Sequence, residues 1–270
     1  MAVNEVHTHK THRPRKRFGQ NFLSDPMVIE DIITSINIRP DDHLVEIGPG
    51  LGALTELLIT RAHKLSAIEI DRDLAAILKQ SYAEHSNFEL YTSDALSFDY
   101  RALKAPALIR VIGNLPYNIS TPLLFHLLTY RELIKDMHFM LQQEVVDRLA
   151  AEPGSKSYGR LTVMMQYHCA VEALFSVPPT AFTPSPKVTS AVVRLIPHTT
   201  LPCRANDPAM FTQLVKLCFQ QRRKTLRNSL KNLTTDPEKL TGLDIDLRAR
   251  PETLSVADFV AISNSLSLVQ

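Results

Sequence analysis

Residues 114–120, with the sequence NLPYNIS, combine groups that could hold a flat ring carrying an amine. Asn114 has a carbonyl acceptor on a short side chain, and Pro116 fixes its φ angle and supplies a carbonyl but no N–H. Tyr117 adds a flat apolar face with a hydroxyl at its tip. The same residues also suit a simple turn after a strand, with Ser120 as the N-cap of the next helix. This stretch alone leaves both interpretations open.

A glycine-rich stretch, EIGPGLGALT at residues 46–55, is a second candidate site. Gly48 and Gly50 fit the pattern G-x-G-x-x-G/A, with Ala53 as its last residue. Glycine lets a nucleotide approach the backbone closely and tolerates a positive φ. Dinucleotide oxidoreductases and S-adenosylmethionine-dependent methyltransferases both use such a loop, with an acid after the second strand that binds ribose hydroxyls. Glu69 stands at that place, so two classes of enzyme remain.

Four acidic residues separate these two classes. They stand at the carboxyl ends of three successive predicted strands: Glu46, Glu69, Asp71 and Asp94. In an open parallel sheet these ends form the crevice that binds ligands. A pyrophosphate would be repelled there by roughly a kcal/mol or more, whereas a sulfonium is attracted. The charges therefore favour S-adenosylmethionine as the cofactor, although Asp71 could instead cap a helix and Glu46 could bond nearby backbone amides.

The elements that must position these residues follow from the hydrophobic pattern. Strands are predicted at 43–48, 64–71, 87–96, 107–113, 136–142, 170–177 and 187–197. Helices are predicted at 51–61, 72–85 and 120–133. An earlier helix is predicted to follow Ser24 as its N-cap, with Pro26 in its first turn. This alternation indicates a mostly parallel sheet covered on both faces, whose last two strands are antiparallel neighbours. Residues 208–270 are predicted to be helical throughout.

Composition limits the other possibilities. The 270 residues are 44% hydrophobic, so the chain can bury a substantial core. Its three cysteines are far apart with no C-x-x-C spacing, which argues against a zinc site or a disulfide framework and predicts no metal. No apolar run is long enough for a membrane span, and the first residues lack the apolar segment of a signal peptide. We therefore expect a cytoplasmic protein with no membrane partner.

Positive charge is concentrated in two segments, although the net charge is only +2. Residues 1–17 hold five Lys and Arg, and residues 216–231 hold six with no acid. On a single helix the second segment would show one apolar face, formed by Phe219, Leu226, Leu230 and Leu233. The adjacent face would carry Lys216, Arg223, Lys224, Arg227 and Lys231. The two patches indicate a polyanionic partner, with a disordered basic tail and a solvated helix face as the alternative.

Several longer motifs resemble the 16S rRNA adenine dimethyltransferases, and the resemblance covers nearly the whole chain. They are RKRFGQNFL (15–23), EIGPGLGALT (46–55), EID (69–71), SDAL (93–96), NLPYNISTPLLF (114–125), FTPSPKVTSAVVRL (182–195) and FQQRRKTLRNSL (219–230). The resemblance implies a Rossmann-like methyltransferase domain with a seven-stranded sheet and a small helical C-terminal domain. It also implies dimethylation of two adjacent adenines in a hairpin loop near the 3′ end of 16S rRNA, within the immature 30S subunit.

The resemblance also assigns expected roles to residues. The cofactor would be bound by Asn21, Leu23, Gly48, Gly50, Glu69, Asp94 and Asn114. The reaction would take place at Asn114, Leu115, Pro116 and Tyr117, with Phe182 either a second wall for the base or a core residue. The basic C-terminal segment is expected to bind RNA phosphates through Arg222, Arg223, Lys224, Arg227 and Lys231.

We expect a monomer with three parts: a basic arm at 1–17, the methyltransferase domain at 18–200 and the helical RNA-binding domain at 201–270. Other functions remain possible at this point. A sister class with the same tetrapeptide dimethylates 23S rRNA, and a non-catalytic assembly factor would bind the small subunit with methylation secondary. A dinucleotide oxidoreductase would bind NAD instead.

Overall fold

The computed structural model describes residues 20–220, 224–231, 233, 240 and 242–267. The strands are β1 (Phe22–Leu23), β2 (His43–Ile47), β3 (Lys64–Glu69), β4 (Phe88–Thr92), β5 (Ile109–Asn114), β6 (Ile134–Gln142), β7 (Cys169–Val177), β8 (Phe182–Thr183) and β9 (Ser190–Pro197). The helices before the last strand are α1 (Pro26–Ile36), α2 (Thr55–Arg61), α3 (Arg72–Ser81), α4 (Ser120–Leu128), α5 (Gln143–Leu149) and α6 (Arg160–His168). Three more follow it: α7 (Pro208–Gln220), α8 (Leu226–Leu230) and α9 (Val256–Ser267).

Seven strands form one sheet, as predicted, and their order is β4-β3-β2-β5-β6-β9-β7. The first five of these are parallel, and β9 runs antiparallel to β6 and β7 on either side of it. The two last strands are therefore antiparallel neighbours, which confirms the expectation. Chain order reverses between β2 and β5, so the loops after these two strands diverge and leave a crevice at their carboxyl ends.

Burial on both faces explains why the central strands were recognisable in the sequence. All five residues of β2 are buried, and the same holds for Ile109–Gly113 of β5. Parallel strands covered by helices on both faces read as continuous apolar runs. These strands are the rigid platform on which the loops of the crevice stand.

A second core lies at the C-terminal end of the chain. It joins α6 to α7 and α9, with Tyr167, Phe211 and Phe259 among its buried rings. The hydroxyl of Tyr167 accepts a hydrogen bond from the backbone N–H of Ala205 over 3.2 Å. Because this core draws on residues from both sides of position 200, the domain boundary proposed there stays a prediction.

The prediction of one continuous helix over 216–231 is wrong. Helix α7 ends at Gln220 and α8 begins at Leu226, after the extended backbone of Thr225. The amides of Leu226 and Arg227 bond to the carbonyls of Ala249 and Leu247, over 2.8 and 2.9 Å. A distant segment thus takes the donors that a continuous helix would need. Residues 242–250 form turns rather than helix, so "helical throughout" is also wrong for this region.

The start of α1 differs from the expectation by one residue. Asp25, not Ser24, is the N-cap, and its carboxylate accepts from the amide of Met27 over 2.9 Å, with Pro26 at the first helical position. Ser24 instead donates to the carbonyl of Ala181 over 3.3 Å. Within the described ranges, no helix has the length and apolar character that crossing a membrane requires.

Candidate active site

A cavity of about 530 Å³ opens at the carboxyl ends of β2, β3, β4 and β5. Every residue that the sequence assigned to the cofactor or to the reaction lines it: Asn21, Leu23, Gly48, Gly50, Glu69, Asp94, Asn114, Leu115, Pro116 and Tyr117. Glu46 and Phe182 line it as well. The cavity lies where the chain order of the sheet reverses, which is the place where open α/β sheets bind ligands. The roles of the individual residues stay predictions.

The glycine loop forms one wall because its backbone needs glycine. Gly48 and Gly50 have φ angles of +66° and +62°, which L side chains rarely adopt. Gly52 has φ of +91°, and a Cβ there would lie 2.7 Å from the hydroxyl of Tyr82. The space outside Gly48 is open within 4 Å of a Cβ, so a ligand can approach that part of the backbone directly.

Glu69 ends β3 beside the glycine loop and is only 4% exposed. One of its carboxylate oxygens accepts from the amide of Gly50 over 3.2 Å, and the other accepts from the amide of Asp71 over 2.8 Å. Burial raises the pKa of Glu69, while hydrogen bonds from the Asp71 and Gly50 amides oppose that rise. The carboxylate is thereby fixed at the edge of the cavity where it can bind hydroxyl groups.

Asp71 caps a helix, which was the alternative to a role in ligand binding. It is the N-cap of α3 and accepts from the amide of Asp73 over 3.0 Å. Its other oxygen accepts from the Gln20 side chain over 3.2 Å. Asp71 is not among the residues that line the cavity, so three of the four predicted acids do so: Glu46, Glu69 and Asp94.

Glu46 is buried in the floor of the cavity, with 2% of its surface exposed. It accepts a hydrogen bond from the hydroxyl of Thr55 over 2.7 Å, where the sequence alternative expected backbone amides. Asp94 lies in the loop after β4, and its Oδ1 accepts from the amide of Leu96 over 2.9 Å. Asp94 and Glu69 make the cavity attractive to a cation and unfavourable to a pyrophosphate, and Glu46 adds a full charge only above its raised pKa of about 7.

Asn114 is the last residue of β5, and its side-chain nitrogen donates to the carbonyl of Asn21 over 3.2 Å. An amide whose nitrogen is used in this way presents its oxygen on the opposite side, available as an acceptor. Leu115 anchors the segment, because its amide donates to the carbonyl of Met140 over 3.1 Å and its side chain is 1% exposed. The arrangement fixes an amide oxygen at the wall of the cavity.

The segment 116–120 is also a turn, as the simpler interpretation predicted. The amide of Ile119 donates to the carbonyl of Pro116 over 3.1 Å. Ser120 is the first residue of α4 rather than its N-cap, and its hydroxyl donates to the carbonyl of Tyr117 over 3.2 Å. The turn leaves Tyr117 half-buried at the cavity. Turn and binding wall are thus one structure.

A short strap, formed by strands β1 and β8, lines the cavity and was not predicted from the sequence pattern. Strand β1 pairs antiparallel with β8, Phe22 opposite Thr183 and Leu23 opposite Phe182. Two-residue strands are too short to give a periodic signal. The candidate aromatic wall, Phe182, is held in this pair and is 4% exposed.

Three of the predicted RNA-binding residues are described, and none of the three lines this cavity. Lys224, Arg227 and Lys231 are exposed on and around α8. No carboxylate of the described residues is within ion-pair distance of them. Arg222 and Arg223, like the arm at 1–17, lie outside the described residues. Among the described residues, no group of His, Cys, Asp or Glu is arranged to hold a metal ion.

S-adenosylmethionine fits the residues present. Its sulfonium suits a cavity that is lined by acidic residues, and its adenosine can approach the open backbone at Gly48. Glu69, at the end of β3, has the position from which an acid binds ribose hydroxyls. Of the residues that the structure describes in the cavity lining, none has a basic side chain that would favour a phosphate.

Comparison with known proteins agrees with this geometry. The family model for ribosomal RNA adenine dimethylase matches residues 11–268. The protein named ribosomal RNA small subunit methyltransferase A from Pseudomonas syringae pv. syringae is 55% identical, over 95% of this chain and 96% of its own. The protein of that name from Hahella chejuensis is 56% identical, over 94% and 93%.

Two solved structures of related enzymes share the fold of this chain. A dimethyladenosine transferase from Plasmodium falciparum aligns with a TM-score of 0.77 and 29% identity, over 89% of this chain and 95% of its own. The 23S rRNA methyltransferase ErmE aligns with a TM-score of 0.72 and 26% identity, over 92% and 100%. From its sequence, fold and cavity, the chain belongs to the ribosomal RNA adenine dimethylase family of S-adenosylmethionine-dependent methyltransferases.

Proposed function

We propose that the protein dimethylates the exocyclic amines of two adjacent adenines in a 3′-terminal hairpin loop of 16S rRNA. The substrate is the immature 30S subunit, and the enzyme acts as a monomer in the cytoplasm. The observation that carries the proposal is that Asn114 and Tyr117 line the same cavity as the glycine loop and Glu69. This shared lining supports an amine-binding pocket beside a cofactor site.

The exocyclic amine of adenine is a poor nucleophile, because its lone pair is delocalised into the ring. The side-chain oxygen of Asn114 and the backbone carbonyl of Leu115 accept hydrogen bonds from its two N–H groups. This favours a pyramidal nitrogen with its lone pair directed away from the ring. The cofactor, when bound, supplies an electrophilic methyl group. Positioning is the main source of rate, and the proton leaves after transfer, so no strong base is needed.

The aromatic residues hold the base. Tyr117 stacks on the adenine, which leaves its RNA context to enter the cavity, and Phe182 contributes the facing wall. An adenine in a hairpin loop is extruded at low cost, because it has no full duplex stack to lose. Glu69 accepts hydrogen bonds from the cofactor ribose. After the first transfer one N–H remains, so the amine must rotate within the pocket before the second.

Lys224, Arg227 and Lys231 are proposed to bind rRNA phosphates, together with Arg222 and Arg223. Their exposure on one short stretch around α8 supports this role. Such contacts give affinity and orientation without reading bases. The small-subunit target is supported by the relatives at 55% and 56% identity, against 26% for the 23S rRNA methyltransferase.

One experiment tests the whole proposal. Unmethylated 30S subunits, mature 30S subunits and 23S rRNA are incubated with labelled cofactor, and the modified nucleotides are mapped. We expect two adjacent dimethylated adenines near the 3′ end of 16S rRNA and none in 23S rRNA. Label in 23S rRNA would support the sister class instead. Tight binding to 30S subunits with no label would leave only an assembly role.

A further inference from the structure

A hydrogen bond joins the hydroxyl groups of Tyr117 and Ser190, whose oxygens are 3.0 Å apart. Tyr117 lies in the turn after β5, and Ser190 is the first residue of β9. The bond therefore connects two segments that are 73 residues apart in the chain. Ser190 is not among the residues that line the cavity, so its hydroxyl reaches the ring from behind the wall.

Ser190 is a rigid anchor. It is 1% exposed, and its strand lies between two others, with Gln142 of β6 paired to it on one side and Val177 of β7 on the other. A short side chain on a strand that is hydrogen-bonded on both sides can place its hydroxyl in few positions. The Tyr117 hydroxyl is thus tied to a buried position on an interior strand of the sheet.

Tyr117 is consequently held at both ends. Its carbonyl accepts from the hydroxyl of Ser120 over 3.2 Å, and its own hydroxyl bonds to Ser190. Phe182, which also lines the cavity, belongs to the segment that leads into β9. The bond to Ser190 therefore links the segments that carry Tyr117 and Phe182, two of the three aromatic residues that line the cavity.

We propose that Ser190 is a positioning residue for methyl transfer. Its hydroxyl fixes the Tyr117 ring in the orientation in which an adenine can stack on it with the amine at Asn114. The inference rests on the proposed function. Because a small misplacement of a reacting group lowers rate steeply, loss of this bond slows transfer. Cofactor binding depends on the glycine loop and Glu69, and is left intact.

The test is a double-mutant cycle with Ser190→Ala, Tyr117→Phe and the double variant, assayed on unmethylated 30S subunits in single turnover. Each single change should lower the rate at saturating cofactor by roughly threefold to tenfold, the range for one neutral hydrogen bond. The double variant should be no slower than either single variant, because the same bond is lost in all three. Cofactor affinity measured by calorimetry should equal that of the parent.

Ser66→Ala is the matched control. Ser66 is a fully buried serine in β3 whose hydroxyl bonds to Nε2 of His43 over 2.9 Å, outside the cavity. It should lose stability but keep the parent rate. Additive losses in the cycle overturn the inference. A parent rate for Tyr117→Phe also overturns it, and that measurement can be made even if Ser190→Ala fails to fold. A parent protein that leaves adenine unmodified removes the proposed function and this inference together, whereas an active parent with additive variants removes the inference alone.

Discussion

The hydroxyl of Thr55 donates to a carboxylate oxygen of Glu46 over 2.7 Å, and both side chains are almost completely buried. Burial, opposed by this hydrogen bond and reinforced by the charge of Glu69, raises the pKa of Glu46 to about 7. A carboxyl group at the floor of the cavity thus changes its charge near neutral pH. The stability of the protein without cofactor must depend on that change.

Glu46→Gln should make the protein more stable than its parent at pH 8 and change it little at pH 4. A raised pKa means that the folded state holds the proton while the unfolded state has lost it. The parent protein therefore has its full stability below the ordinary pKa of a glutamate, and it loses stability as pH rises to about 7. The difference in free energy of unfolding between Glu46→Gln and its parent should grow by roughly 3 kcal/mol across that pH range. Urea unfolding at several pH values measures it, with exposed Glu132→Gln as the control. A gap that stays constant with pH contradicts the prediction.

Glu69→Ala should weaken cofactor binding by roughly 1.5–3 kcal/mol, the scale of lost hydrogen bonds to a charged group. The structure adds a second effect, because the amides of Gly50 and Asp71 lose their acceptor. Glu69→Gln keeps an acceptor for one of these amides and separates the two contributions. Calorimetric titration is the measurement. Parent affinity in the alanine variant would leave Glu69 with a structural role only.

Asn114→Ala should abolish methyl transfer and lower cofactor affinity by less than it lowers activity. The variant loses the amide oxygen that the substrate amine needs, and also the bond to Asn21. Asn264→Ala is the control, since that amide also bonds to backbone groups, those of Asn206 and Arg204, but far from the cavity. Single-turnover assays with saturating cofactor and 30S subunits decide. A near-parent rate would reduce segment 114–120 to a turn.

Changing Lys224, Arg227 and Lys231 to Gln should weaken binding to the 30S subunit without loss of thermal stability. All three side chains are exposed, so their removal costs no packing. The slope of log affinity against log salt should shrink by about two to three units, at slightly less than one for each phosphate contact. The control removes the same charge from other exposed positions, Arg39, Lys79 and Lys104. If both variants bind alike, the RNA contacts lie elsewhere, first of all in the arm at 1–17.

The sequence alone predicted those features that depend on residues close together in the chain. The buried strands show as apolar runs, and the glycine loop and the NLPY segment stand directly after β2 and β5, so their meeting at one edge followed from the parallel sheet. Features made by distant residues were not predictable. The start of α8 depends on carbonyls at Leu247 and Ala249, and the strap depends on the pairing of β1 with β8. The bond from Ser190 to Tyr117 has no signature in either segment.

The core that α6 shares with α7 and α9 has a consequence for the choice of nucleotide. Because α6 leads directly into β7 of the sheet, packing rather than a loose linker sets the distance from α8 to the cavity. An rRNA held by its phosphates at α8 would reach the Tyr117 ring only with an adenine at a set number of nucleotides from the anchor. The enzyme would then select its two adenines by their distance from the bound phosphates along a folded RNA, rather than by the bases beside them.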